Sequence, residues 1–451
     1  MFTIYINMAE MKTDSREGSI MELREVNRMM YLRPDNGSLV DKRTHKDYNF
    51  SNLTYKAGAN AQAIIQSGAD GVWGPSSFLK FDIKLTGNAA DTYTIKNGTL
   101  GTNLIESARL THRSGEIIEF IDKYNNLANV LLNWDNDSSE FTKLESQLNS
   151  GSTVAAADQV VTKTWTIPAG STEKVVSVVV PLWMIFGCFD NKEQYIPPNF
   201  LAGAKMELKL ASLATVFVSV AANDPSLEVS PSVVLDSAKV YDSVAAQILD
   251  QQADVERSGL QFTYSTWFNN STTSSVSQVN VDIQQSASIT EKVIAIFRDD
   301  DAVTSPATKD SFAGLPIAQN YQWRLGSQYY PQARVSLAGG QGEAYQHSLI
   351  AWNSAPNQYL GFKSDGNCSV DLRRFSLLAN DVAPHYATTL EKSAVGLTLT
   401  GEPTNNSRSL NFSAGLPALG DENIPAKIDV QIYLKYCRIA NIMGENLVVD
   451  R

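Results

Sequence analysis

The chain is poor in the side chains from which enzymes and metalloproteins build their centres: 451 residues contain four histidines and three cysteines. His45, His112, His347 and His385 stand apart, with no His-x-x-x-His, His-x-Glu or two-histidine-one-carboxylate arrangement, so no metal site is expected. Cys188, Cys368 and Cys437 are odd in number, distant and without metal-ligand spacing. That excludes a disulfide framework and a zinc site and leaves buried reduced thiols. No Gly-x-Ser-x-Gly elbow, phosphate loop or dinucleotide fingerprint occurs, so neither an enzyme nor an ATP, NAD or other cofactor is expected. The run Asp299-Asp300-Asp301 lacks the interleaved spacing of a calcium loop and reads as a turn. No apolar run approaches the ~20 residues that cross a bilayer, and MFTIYINMAEMKT has no charged leader ahead of an apolar core. Synthesis in the cytosol is expected, with the sequons at Asn52, Asn97 and Asn270 incidental.

Positive charge is also scarce. Lys and Arg number 37 against 48 Asp and Glu, a net charge of -11, which excludes a binder that covers nucleic acid along its whole surface. The acidic surplus reads as a solvated surface. Hydrophobic residues at 43% and charged residues at 19% are globular proportions, and the length exceeds what one core organises.

What the chain does have is a long series of short alternating segments. Residues 1–50 read as an N-terminal arm: Ile20, Leu23 and Met30 fall near helical spacing, and eight Lys/Arg against six Asp/Glu between Lys12 and Lys46 make it weakly basic. Such an arm could touch an inner layer or a genome. From Ser76 onward strands are predicted at SSFLKFDIKLTG, with Leu79, Phe81, Ile83 and Leu85 on one face, at NLIESARLTH, at the Val-rich Val175–Leu182, which reads as a buried strand, and at KMELKLA, ATVFVSV and SVVLDSAKVYDSV. Ser114-Gly115 supplies a turn. Ile117, Phe120, Ile121, Tyr124, Leu127, Val130 and Leu131 follow three-and-four spacing and predict one helix through EIIEFIDKYNNLANVLLNW. A polar helical stretch, Asp242–Gly259, reads as a connection, after which strands start over at GLQFTYSTWFNN, VSQVNVDIQQ, KVIAIFRDD, VGLTLTG, RSLNFSAG and KIDVQIYLKYCRI, with a helix at EAYQHSLIAWN. The pattern predicts an all-β protein: two consecutive eight-stranded jelly rolls over 51–247 and 248–451, with short helices inserted in loops.

Scattered Trp73, Trp183, Trp267, Trp323 and Trp352 support an alternative, a glycan- or receptor-binding β-sandwich such as a viral spike or lectin. A more distant one is a carbohydrate-active enzyme, which would need an Asp/Glu pair facing across a cleft.

Three segments, in order, resemble the major capsid proteins of double jelly-roll viruses, the group spanning virophages and polinton-like viruses. They are NLIESARLTHRSGEIIEFIDKYNNLANVLL, VPLWMIFGCFDNKEQYIPPNFLAGAKMELKLA and YQWRLGSQYYPQARV. The resemblance implies a structural role: homotrimeric, pseudo-hexameric capsomers tiling an icosahedral capsid around a DNA genome. It implies a place in the virion, contacts with penton and minor capsid proteins, and no small-molecule substrate. It carries over no catalytic residue. Pro181, Gly187, Tyr321, Trp323, Gly326, Tyr329 and Pro331 are motif positions expected to fix strands and turns, some of them at a subunit contact.

Overall fold

Alternation sets the longest strand of the first half. From Leu79 to Leu85 every second side chain is apolar and fully buried, while Lys80, Asp82 and Lys84 take the other face, where Lys80 pairs with Asp82 at 3.1 Å and Lys84 with Glu173 at 2.6 Å. In the computed structural model, residues 40–66, 71–95, 99–134, 147–148, 152–155, 161–192, 195–218, 225–240, 260–299, 318–336, 394–398, 403–405, 408–420, 426–443 and 446–450 are described.

Eight strands build the first unit: β1 (Val40–Asn49), β2 (Asn60–Ile65), β3 (Gly71–Thr86), β4 (Ile105–Thr111), β5 (Ile117–Ile121), β6 (Glu173–Pro181), β7 (Ala204–Leu210) and β8 (Ser226–Val240). Their pairing is antiparallel throughout, in one sheet of order β1-β8-β3-β6 and another of order β2-β7-β4-β5. Eight more build the second: β9 (Leu260–Ser274), β10 (Gln278–Ile283), β11 (Thr290–Asp299), β12 (Asn320–Leu325), β13 (Gln328–Ser336), β14 (Ala394–Thr398), β15 (Leu410–Gly415) and β16 (Ile428–Met443). Their sheets run β9-β16-β11-β14 and β10-β15-β12-β13. The second order is the first with eight added to every label. First strand beside eighth and second beside seventh is the wrapping of a jelly roll, here made twice in succession. The all-β expectation of two consecutive jelly rolls is borne out.

Each roll holds its own packed interior. In the first, Leu79, Phe81, Ile83 and Leu85 meet Leu110, Met206, Leu208, Val229 and Val233; in the second, Val293, Ala295 and Phe297 meet Trp323, Phe412, Val430, Ile432 and Leu434. Each such Val, Leu, Ile, Phe or Met side chain contributes about 1.5–3 kcal/mol relative to exposure. A fifth, small sheet gathers Thr92–Ile95, Ser152–Ala155, Val161–Thr166 and Phe217–Val218 from three loops of the first roll, around Tyr93, Trp165 and Phe217.

Four local expectations are corrected. The segment Val40–Asn49, placed in an arm over residues 1–50, is β1, paired with β8 from Val40↔Val240 to Asn49↔Ser232. Its sequence, VDKRTHKDYN, shows no apolar alternation because it is an edge strand recruited by backbone pairing. The helix expected from Ile117 to Trp134 is a strand, Ile117–Ile121, then a helix, Tyr124–Trp134. Lys123, at φ 50, breaks the two apart, and β-branched Ile117, Ile118 and Ile121 favour the strand. The stretch ATVFVSV gives a short helix, Leu213–Val216, and a two-residue strand. Val175 is 64% exposed, so β6 has one solvent face rather than two buried ones. The arm helix, the connection Asp242–Gly259 with the 247/248 boundary, and the helix at EAYQHSLIAWN lie outside the described residues.

Candidate functional site: the joint between the two rolls

Few of the described side chains look like chemistry; of the buried polar ones, Glu119, Thr266, Asp429, Gln431 and Arg438 gather at one place between the rolls, while Ser77, Asp236 and Ser237 lie together in the β3–β8 part of the first roll. The run Val293–Phe297 in β11 is buried at every position: Val293, Ala295 and Phe297 fill the second roll, while Ile294 and Ile296 turn to the core cluster of the first. A strand covered on both faces reads as an unbroken apolar run, as KVIAIF does. In β16 the same division places Ile428, Val430, Ile432 and Leu434 inside the second roll and aims Asp429, Gln431 and Tyr433 at the first.

Against this sheet the first roll sets β5, the helix Tyr124–Trp134, and the loop between β6 and β7. Phe200 lies 5.0 Å from the ring of Phe262 and 5.8 Å from that of Tyr264. The Tyr264 hydroxyl donates to the Ile118 carbonyl at 2.8 Å, and the Arg438 guanidinium donates to the same oxygen at 2.7 Å and to Ile117 O at 3.3 Å. Farther along, Lys123 Nζ pairs with Asp429 at 2.5 Å, Asn126 Nδ2 donates to Gln431 at 2.9 Å, the Tyr433 hydroxyl donates to Lys123 O at 2.9 Å, and Asn269 Nδ2 donates to Asp122 O at 3.0 Å. Burial pushes the Tyr264 and Tyr433 phenols well up, so they act as neutral donors.

Glu119 is the centre of this contact. It is 3% exposed; its carboxylate accepts the backbone N–H of Cys188 at 2.7 Å and of Gly187 at 2.9 Å from the β6–β7 loop, and the Thr266 hydroxyl at 2.8 Å from the second roll. Gly187 is there because nothing larger fits: a Cβ would stand 1.6 Å from the Ser265 carbonyl oxygen of β9.

The expected motif positions divide. Pro181 ends β6 and precedes a 3-10 turn, and Gly187 opens a second one at the joint. Tyr321 and Trp323 are fully buried in the second roll, Trp323 with its ring centroid 4.4 Å from that of Phe412. Gly326, at φ 60, turns the chain between β12 and β13; Tyr329 is 49% exposed beyond it, and the Tyr330–Pro331 peptide is cis. The structure therefore places Gly187 at the joint and the other six elsewhere. Of the tryptophans expected as platforms, Trp323 is buried, Trp73, Trp183 and Trp267 are half-buried, and Trp352 lies outside the described residues. Among the described residues no group of three His, Cys, Asp or Glu could hold a metal ion, and no helix is long and apolar enough to cross a membrane. Glu119, Thr266 and Arg438 were not singled out from sequence; an acid inside the apolar run EIIEFI was the available signal.

No protein-family model matches the chain, and no curated protein matches it in sequence. Solved structures do. A chain in the structure of the Sputnik virophage is 11% identical with a TM-score of 0.57, over 100% of this chain and 93% of that one. The PBCV-1 virus capsid gives 11% identity and 0.57 over 91% and 97%, and the Faustovirus major capsid protein 7% and 0.55 over 89% and 90%. With two eight-stranded rolls of one strand order in a single chain, this protein has the double jelly-roll fold found in virophage and other viral major capsid proteins.

Proposed function

We propose that this chain is a viral major capsid protein, forming homotrimeric, pseudo-hexameric capsomers that tile an icosahedral shell around a DNA genome. The observation that carries the reading is the repeated strand order in two rolls fixed against each other by a buried joint. Three such chains offer six similar flanks with a single kind of subunit, and six-sided blocks pack without gaps. The protein acts by its shape, as part of the virion, and turns over no substrate. Neighbouring trimers, penton and minor capsid proteins are its partners, and the segment before β1 faces the inner layer or genome. Tyr321, Trp323 and Gly326 hold a strand and turn, and Tyr329 and Pro331 present an edge to a neighbouring subunit.

Size-exclusion chromatography with light scattering is expected to give a stable trimer, and electron-microscopy class averages a hexagonal outline with threefold symmetry. A clean monomer at micromolar concentration would overturn the reading. Tyr329→Ala is expected to leave monomer stability within about 0.5 kcal/mol, as for exposed positions generally, while weakening the trimer or its packing.

A further inference from the structure

Glu119 does more than fill the joint. Its Oε1 accepts from Cys188 N, and its Oε2 accepts from both Gly187 N and the Thr266 hydroxyl. Of these donors, the two backbone N–H groups cannot reverse. The Thr266 hydroxyl can, because a hydroxyl both donates and accepts.

We propose that the Glu119 carboxyl is a proton-responsive lock between the two rolls, which tightens when Oε2 takes up a proton and the Thr266 hydroxyl turns from donor to acceptor. A proton from water binds a lone pair on Oε2, the new O–H donates to Thr266 Oγ1, and Thr266 swings its own hydrogen away. The Gly187 and Cys188 N–H groups keep donating to the carboxyl, and no covalent bond to carbon changes. The buried anion disappears while the Glu119–Thr266 contact across the joint is kept with its direction reversed; the Thr266 hydrogen gives up Oε2 as its acceptor in exchange.

Burial, rather than the groups that touch the carboxyl, sets this direction. From the β6–β7 loop the Cys188 thiol faces the carboxyl, itself pushed well up by burial and by the negative charge beside it. From β9 come Tyr264 and Thr266, and from β16 come Tyr436 and Arg438, whose guanidinium is engaged by the Ile117 and Ile118 carbonyls. Burial pushes Glu119 up, and the bonds from Cys188, Thr266 and Gly187 pull it down without cancelling that rise. A carboxyl raised in the folded chain makes that chain bind protons more readily than the unfolded one. Its contribution is therefore complete below the ordinary Glu value of about 4.3 and is lost as pH climbs through the raised one.

Hydrogen exchange of the full chain, read by mass spectrometry between about pH 8 and about pH 5 and corrected for intrinsic rates, tests the lock. In the wild type, protection of residues 182–190 and 260–270 should rise with acidification, by up to tenfold per pH unit for one proton. In Glu119→Gln it should stay flat, while β12 behaves alike in both. Superimposable profiles, or wild-type protection that falls as acid is added, would overturn the assignment. Should Glu119→Gln not fold, difference infrared spectroscopy decides. A protonated-carboxyl C=O band should emerge above the usual Glu titration range, and Thr266→Val should move it. A band confined to pH below about 4.3, or one unmoved by Thr266→Val, would sink the idea.

Discussion

Replacing Gly187 with alanine adds one carbon, at a place where the two rolls leave no space for it. The new Cβ would lie 1.6 Å from the Ser265 carbonyl oxygen, itself backbone and unable to swing aside. An ordinary carbon–oxygen contact needs about 3.3 Å, so the rolls must part by roughly 1.7 Å at this point. The Thr266 bond to Glu119, now 2.8 Å and the one of its three that crosses between the rolls, would then pass the length at which it still counts. Overpacking costs about 1–3 kcal/mol, and a weakened bond to a buried charge about 1.5–3 more, giving roughly 3–6 kcal/mol in all. At about 2–4 °C per kcal/mol for a unit this size, the melting midpoint should drop by roughly 6–24 °C. Scanning calorimetry of the full chain measures it, with Gly115→Ala as the control. Gly115 has positive φ, at 92, which Gly187 does not, and a Cβ there meets nothing within 4 Å, so that change carries backbone strain alone, about 1–2 kcal/mol. If Gly187→Ala melts no lower than Gly115→Ala, the joint is not packed as described.

Trp323→Ala should remove about 3–5 kcal/mol, since a fully buried indole against Phe412 leaves a cavity that β12 and β15 cannot close; urea unfolding reads the loss. Arg43→Met tests a second buried acid. Burial pushes Asp236 up, but the Arg43 guanidinium, with Nε 2.8 Å away, and the Ser76 hydroxyl more than offset it and hold it below the usual carboxylate range. That stabilisation is present above about pH 3.9 and is lost as pH falls through the lowered value, so the variant should be weaker by about 1–2 kcal/mol at neutral pH, half-exposed Arg43 being screened, and the gap should close in acid. Acid titration of the unfolding midpoint checks the sign. Deleting residues 1–39 should leave trimers intact and impair shell assembly, whereas deleting 1–50 removes β1, bares the β8 edge and should give aggregates on light scattering.

Much of the architecture was readable because most strands away from the joint have one wet face and one dry one. Leu79, Phe81, Ile83 and Leu85, or Met206, Leu208 and Leu210, carry the period of two that only a half-buried strand requires. The strand β1 escaped notice for the opposite reason: backbone pairing holds it, and backbone leaves no trace in side-chain pattern. Ile117 to Leu131 misled because a strand and a helix, joined at Lys123, happened to keep one apparent helical stripe. The joint was barely legible. Its residues come from positions as far apart as Glu119, Gly187, Thr266 and Arg438, and only folding brings them together. Gly187 was noted through family resemblance, yet the demand for glycine arises from a carbonyl 78 residues away in the chain.

The apolar core of the first roll runs without interruption into Ile294, Ile296 and Ala440 of the second, so the pair has no hinge at that seam. A closed shell of the kind proposed for it must nevertheless bend. Blocks stiff across their own width cannot share that bending internally, and the angle between adjacent facets would have to be absorbed where one molecule abuts the next.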